Sequence, residues 1–125
     1  MNDSYPLTAE ALMPSGERIA LRCAWATSFA QRFFGLMGKR SVPARCGLAF
    51  DRCRSIHMMF MRVPLDVLWL VSGDGPRYEV AGLSKGVMPW RVAMAPRGGT
   101  IAVEFESGTF SEAPSSMFIG DEGMV

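Results

Sequence analysis

Residues Leu65-Asp66-Val67-Leu68-Trp69-Leu70-Val71, then Ser72-Gly73-Asp74-Gly75-Pro76, then Arg77-Tyr78-Glu79-Val80-Ala81-Gly82-Leu83, decide the fold. The first segment is apolar enough to be a central β-strand, broken only by the carboxylate of Asp66. The Ser-Gly-Asp-Gly-Pro run is a turn, and strand character resumes from Arg77 to Leu83 before Gly86 and Pro89 interrupt it. The same punctuation continues outward in both directions. Upstream, Leu7 to Met13 and Arg18 to Ala24 flank Pro14-Ser15-Gly16, with Ile19, Leu21 and Cys23 alternating onto one face as in a β-hairpin. Leu48 to Phe50 and Ile56 to Met61 are expected to be central strands beside Leu65 to Val71. Downstream, Arg91 to Ala95, Thr100 to Phe105 and Met117 to Ile119 are separated by glycine-containing turns. About eight short strands predict a mainly β chain, a sandwich or barrel.

One helix is signalled within this pattern. Ser28 and Gln31 have the S-x-x-Q spacing of a capping box, and Gly38 offers a left-handed stop after Met37. Phe29, Phe33, Leu36 and Met37 then share one face and are expected to dock on the sheet. Gly35 inside this span costs about 1 kcal/mol of helix propensity against Ala, a hint that another part of the chain approaches closely there.

The chain has 125 residues, the size of one domain, and its 49% hydrophobic and 20% charged residues are those of a folded globular protein. Thirteen Lys and Arg against twelve Asp and Glu leave a net charge of +1, which gives no global attraction to phosphates or anionic lipids. Nucleic acid and membrane surfaces are therefore not expected as partners. The basic residues between Arg32 and Arg62 lack the interleaved aromatic spacing of a stacking platform. Residues 1–16 carry neither a basic nor a continuous apolar leader, and Cys23, Cys46 and Cys53 form no C-x-x-C pair. Reduced thiols and a cytoplasmic location are the expectation.

An ordered set of short blocks resembles a known family. Arg32-Phe33-Phe34-Gly35-Leu36-Met37 is followed by Gly47-Leu48-Ala49-Phe50, then by Ser55-Ile56-His57-Met58-Met59-Phe60-Met61-Arg62-Val63-Pro64-Leu65-Asp66-Val67. Pro89-Trp90-Arg91, Val103-Glu104 leading into Ser107-Gly108-Thr109, and Ile119-Gly120-Asp121 complete the order. Together they resemble the short form of domain of unknown function 192. The resemblance implies a single domain over residues 1–125, a β-sandwich or barrel similar to a jelly roll with the G-L-M helix packed on it, and no assigned reaction or cofactor.

Several residues carry chemistry. Asp66 sits in a strand of Leu, Val and Trp, where a carboxylate must be paired or hydrogen-bonded, and Arg62 and the backbone around Val63-Pro64-Leu65 are its expected donors. His57, the single histidine, falls in an alternating segment in which Met59 and Met61 share its side. Such a stripe is not a compact cage, so neither zinc nor Cu(I) is expected, and soft-metal binding is the least favoured of the alternatives weighed. Trp90 reads as a lid over the core or as an exposed anchor, and Arg91 beside it could fork onto a carboxylate such as Glu104. No G-x-S-x-G elbow, Walker loop, H-E-x-x-H or Rossmann fingerprint is present. The resulting expectation is a non-catalytic module that binds a small molecule, peptide or protein through His57, Met61, Arg62, Asp66, Trp90 and Arg91, without a cofactor. The alternative is a small enzyme using Asp66, His57 or a cysteine in a concave site.

Overall fold

A computed structural model describes residues 4–120, the side chains of Phe29 and Phe33 excepted. Nine strands and one helix follow in the order β1 (Leu7–Leu12), β2 (Arg18–Trp25), α1 (Phe29–Phe34), β3 (Cys46–Phe50), β4 (Ser55–His57), β5 (Leu65–Leu70), β6 (Arg77–Val87), β7 (Val92–Met94), β8 (Ile101–Glu106) and β9 (Ser116–Ile119). Seven strands close into a barrel in the order β1-β2-β3-β8-β5-β6-β9, and β4 with β7 forms a separate two-stranded side sheet. The chain is mainly β, as its punctuation predicts, and closure leaves the barrel no free edge.

The β1–β2 hairpin has the expected antiparallel register, Leu7 opposite Cys23 through Leu12 opposite Arg18. Parallel pairing of β2 with β3 and antiparallel pairing of β3 with β8 and of β8 with β5 then bring the most apolar strands together. Every residue of β5 is buried, because both of its faces are covered. Leu68 and Leu70 join Ala49, Val103, Phe105, Phe110 and Met117 in the barrel interior. Leu65, Val67 and Trp69 face outward into a second apolar cluster with Leu48, Phe50, Leu36, Ile56, Met58 and Met61. That second cluster joins the barrel wall to residues of the post-helix loop and the side sheet.

The interior is tightly filled. Phe105 and Phe110 meet edge to face at 5.1 Å, and a Cβ placed on Gly47 would lie 2.5 Å from the Phe105 ring. Glycine at 47 is therefore a packing requirement of the interior.

Three local expectations need correction. The helix has its capping box, with the Ser28 Oγ accepting from the Gln31 N–H at 3.0 Å, but it ends at Gly35 rather than Gly38. Gly35 has φ +51, and a Cβ there would meet the Phe50 ring at 3.3 Å, so the backbone turns away where the barrel wall comes close. Leu36 is buried, while the expected docking of Phe29 and Phe33 lies outside the described side chains. Second, Ile56 to Met61 is not a central strand: β4 stops at His57 and pairs only with β7, Ile56 opposite Ala93. A turn follows, in which Phe60 adopts φ +62 and the Met61 N–H returns to the Met58 carbonyl at 3.2 Å. Third, β6 runs through Gly86 to Val87, because a register shift opposite Asp66 accommodates that glycine at φ +61.

Candidate functional site

Asp66 is completely buried, and its carboxylate is saturated by backbone donors. Oδ1 accepts from the Gly86 N–H at 2.8 Å, while Oδ2 accepts from Gly108 at 3.1 Å and Phe110 at 3.2 Å. These donors replace the ones read from the sequence. Arg62 is exposed and makes no hydrogen bond to Asp66, and the backbone of residues 63–65 does not contribute. The carboxylate ties the bulge of β6 and the loop after β8 to the middle of β5.

Trp90 is 61% exposed, so it is not a lid over the core. Its ring meets that of Phe60 at 5.0 Å in a T-shaped contact, and both residues lie in the left-handed region, at φ +69 and +62. Bulky residues rarely adopt this conformation, and it persists here because the Trp90 N–H is held by the Met58 carbonyl and the Met58 N–H by the Arg91 carbonyl, each at 2.7 Å. Met59, Met88, Val92 and Met94 are also exposed on or beside the side sheet, and Phe34 is exposed at the end of α1. The large apolar side chains exposed among the described residues are thus drawn from this sheet, its adjoining turns and the helix end. The Arg91 side chain, also exposed, makes no ion pair with Glu104.

Between α1 and the side sheet lies a cleft of about 110 Å³, lined by Phe34, Met37, Phe50, Cys53, His57 and Met61 among others, with Glu104 reaching it from β8. Alternation on β8 sends Val103 and Phe105 into the barrel and Glu104 outward, level with Leu48 of β3 and Val67 of β5. Glu104 is only 6% exposed, and no described residue gives it a hydrogen bond or an ion pair. No described side-chain oxygen or nitrogen is both sealed from solvent and unpartnered, so the carboxyl retains its exposure by looking out through the cleft. Burial without a counter-charge lifts this carboxyl from the ordinary range to about 8.

The charged neighbours do not compensate it. Arg32 lines the same cleft but is engaged by Asp51, donating to Oδ1 at 2.9 Å and to the backbone carbonyl at 2.8 Å. Cys53 donates its thiol to the Ser55 carbonyl at 3.2 Å, and burial, with Glu104 nearby, pushes its ionisation up. A thiol held in this way is a poor nucleophile. Cys23 and Cys46 are likewise buried and raised, Cys23 to about 12. Among the described residues no group of three or more His, Cys, Asp and Glu side chains is arranged to hold a metal ion.

Of the six residues singled out by sequence, the cleft therefore gathers His57 and Met61, places Trp90, Arg62 and Arg91 on exposed surface, and leaves Asp66 inside the barrel wall. Glu104, which lines the cleft, stands in the sequence reading as part of a family block and as a possible partner for Arg91, not as a site residue. The available signal was its position between Val103 and Phe105, the same anomaly that drew attention to Asp66.

Two solved structures share the fold. A protein from Sinorhizobium meliloti 1021, described provisionally as a transcription regulator, aligns with a TM-score of 0.73 and 22% identity over 93% of this chain and 96% of its own. A protein of unknown function from Novosphingobium aromaticivorans DSM 12444 aligns with a TM-score of 0.67 and 19% identity over 87% of this chain and 82% of its own. Among curated proteins no relative matches. At these identities the likeness is one of fold. No helix is long and apolar enough to cross a membrane among the described residues. The sequence model of DUF192, described as Uncharacterized ACR, matches residues 11–116, and the chain belongs to that family.

Proposed function

We propose that the protein is a non-catalytic binding module whose ligand enters the cleft between α1 and the side sheet. The observation that carries this reading is Glu104: a buried carboxyl without a partner is a standing cost of folding unless something outside the chain uses it. Apolar walls with a few convergent polar groups are the usual make-up of a ligand pocket, and here Phe34, Leu36, Met37, Phe50, Ile56 and Met61 stand beside Glu104, His57, Ser55, Cys53 and an Arg32 already engaged by Asp51. The enzyme reading is weaker, because Asp66 is fully buried and occupied by backbone donors and does not line the cleft that His57 lines. Two finer elements belong to the same proposal: the jelly-roll likeness of the family, and a cytoplasmic home in which three unlinked thiols persist.

The test is fragment binding followed by methyl and amide NMR. Shifts should concentrate on Met37, Phe50, Cys53, Met61 and Glu104. Fragments that settle elsewhere and leave these signals unmoved would overturn the assignment of the site.

A further inference from the structure

We propose that the cleft takes an alkylammonium head, inserted so that its charge meets Glu104 while its methylenes lie against Phe50, Met37 and Met61. This rests on the cleft being the binding site and names the chemistry of what enters it. Three observations on the geometry support it. The carboxyl is more than nine-tenths buried, lines this cleft, and has no cationic partner among the described residues. Arg32, the cation best placed to supply one, is held away by Asp51 through both terminal nitrogens. The space of about 110 Å³ suits one compact head on a narrow stem, and its lining includes the rings of Phe34 and Phe50 and the thioethers of Met37 and Met61 beside the polar Arg32, Ser55 and His57. Such walls favour a cation flanked by methylenes over a fully hydrated ion.

Proton linkage fixes the sign of the pH dependence. A free carboxyl lifted to about 8 is mostly protonated at neutral pH, and an arriving ammonium must displace that proton. Affinity should therefore rise with pH through the neutral range and level off above about 8. The titratable or charged groups facing Glu104 are Arg32 from α1, Cys53 before β4, His57 on β4 and Tyr5 before β1. Tyr5 and Cys53 are themselves raised by burial and stay neutral over this window, and the same pH profile in His57→Gln assigns it to Glu104.

The experiment compares n-butylammonium with 1-butanol, which has the same stem and a neutral head, by methionine methyl shifts at Met37 and Met61. Wild-type protein should prefer the ammonium by about tenfold or more, the worth of a charge-assisted contact. Glu104→Gln keeps the shape and should erase that preference, with a thermal midpoint to verify folding. Equal binding of the two probes in the wild type would overturn the ammonium assignment while leaving the cleft as an apolar binding site. No shift at either methionine with any fragment would remove the binding site itself. A Leu-Lys-Leu peptide capped at both ends, set beside its norleucine analogue, identifies the source once the ammonium is established. Tighter binding of the lysine peptide than of butylammonium points to a protein side chain, and weaker binding to a free amine.

Discussion

The Gly86 N–H donates to Asp66 Oδ1 at 2.8 Å across the bulge between β6 and β5. A side-chain carboxylate thus takes over a donor that the shifted ladder leaves without a strand partner, and two more N–H groups from the loop after β8 complete it. One acidic residue thereby fixes a bulge and a loop that are far apart in sequence.

Asp66→Asn should cost about 1.5 to 3 kcal/mol, since the amide keeps the shape but turns an NH₂ toward a backbone donor and loses the charge-assisted part. Asp66→Ala should cost more, because three backbone N–H groups, that of Phe110 buried, lose their acceptor together. Denaturant titration measures both. Ligand binding should fall only in proportion to the folded fraction, and a stable variant with binding abolished would contradict the structural role.

Gly47→Ala should destabilise by about 1 to 3 kcal/mol, the usual cost of overpacking. The added methyl would sit 2.5 Å from the Phe105 ring, in an interior that also holds Phe110. A crystal structure of the variant should show the Phe105 ring displaced. A neutral substitution with an unmoved ring would mean that the interior is looser than described.

Trp90→Gly should leave stability unchanged or raise it by about 1 kcal/mol, because glycine adopts φ +69 freely and the exposed ring contributes little burial. The same change should weaken ligand binding if the Phe60–Trp90 surface contributes. A loss of several kcal/mol on thermal unfolding would restore Trp90 as part of the core.

Thiol counting on unfolded, non-reduced protein should find three free groups, one each from Cys23, Cys46 and Cys53. In the folded protein Cys53, half-buried, should react before the buried pair, and all three slowly, since burial raises each. A single reactive group after denaturation would reveal a disulfide.

Much of the fold was legible because strand alternation and turn residues are local signals. The β1–β2 hairpin, β5, β8 and β9 lie within a residue or two of their expected bounds. The side sheet was not legible: Ile56 to Met61 has the composition of a central strand, but β4 ends at His57 and pairs with β7, 35 or more residues on, and a left-handed turn at Phe60 follows. The need for donors at Asp66 could be read from its apolar neighbours, but the donors stand 20, 42 and 44 residues away. Glu104 was hidden for a related reason. On a strand paired antiparallel on both sides its alternating position reads as solvent-facing, and the tertiary placement of Gly35, Leu36 and the side sheet covers it.

Stability should depend on pH through Glu104. Its folded-state affinity for the proton exceeds that of the unfolded chain, so the native state holds more protons between about 4.5 and 8. The contribution is fully present below the unfolded value, and stability is lost as pH rises toward about 8, by roughly 3 to 6 kcal/mol in all. Glu104→Gln should flatten this slope and be the more stable form at pH 8.5 or so. Chemical denaturation across the pH range checks it, and identical slopes for the two proteins would contradict the burial of an unpartnered carboxyl.

The most direct measurement is the carboxyl ¹³C shift of Glu104 in labelled protein, followed by NMR from acid to alkaline pH. The account predicts a titration midpoint near 8 in the free protein, moving down when an alkylammonium occupies the cleft. A midpoint in the ordinary carboxylate range, near 4.5, would contradict it. The carboxyl would then already have its partner, and the cleft would have no unmet charge to offer a ligand.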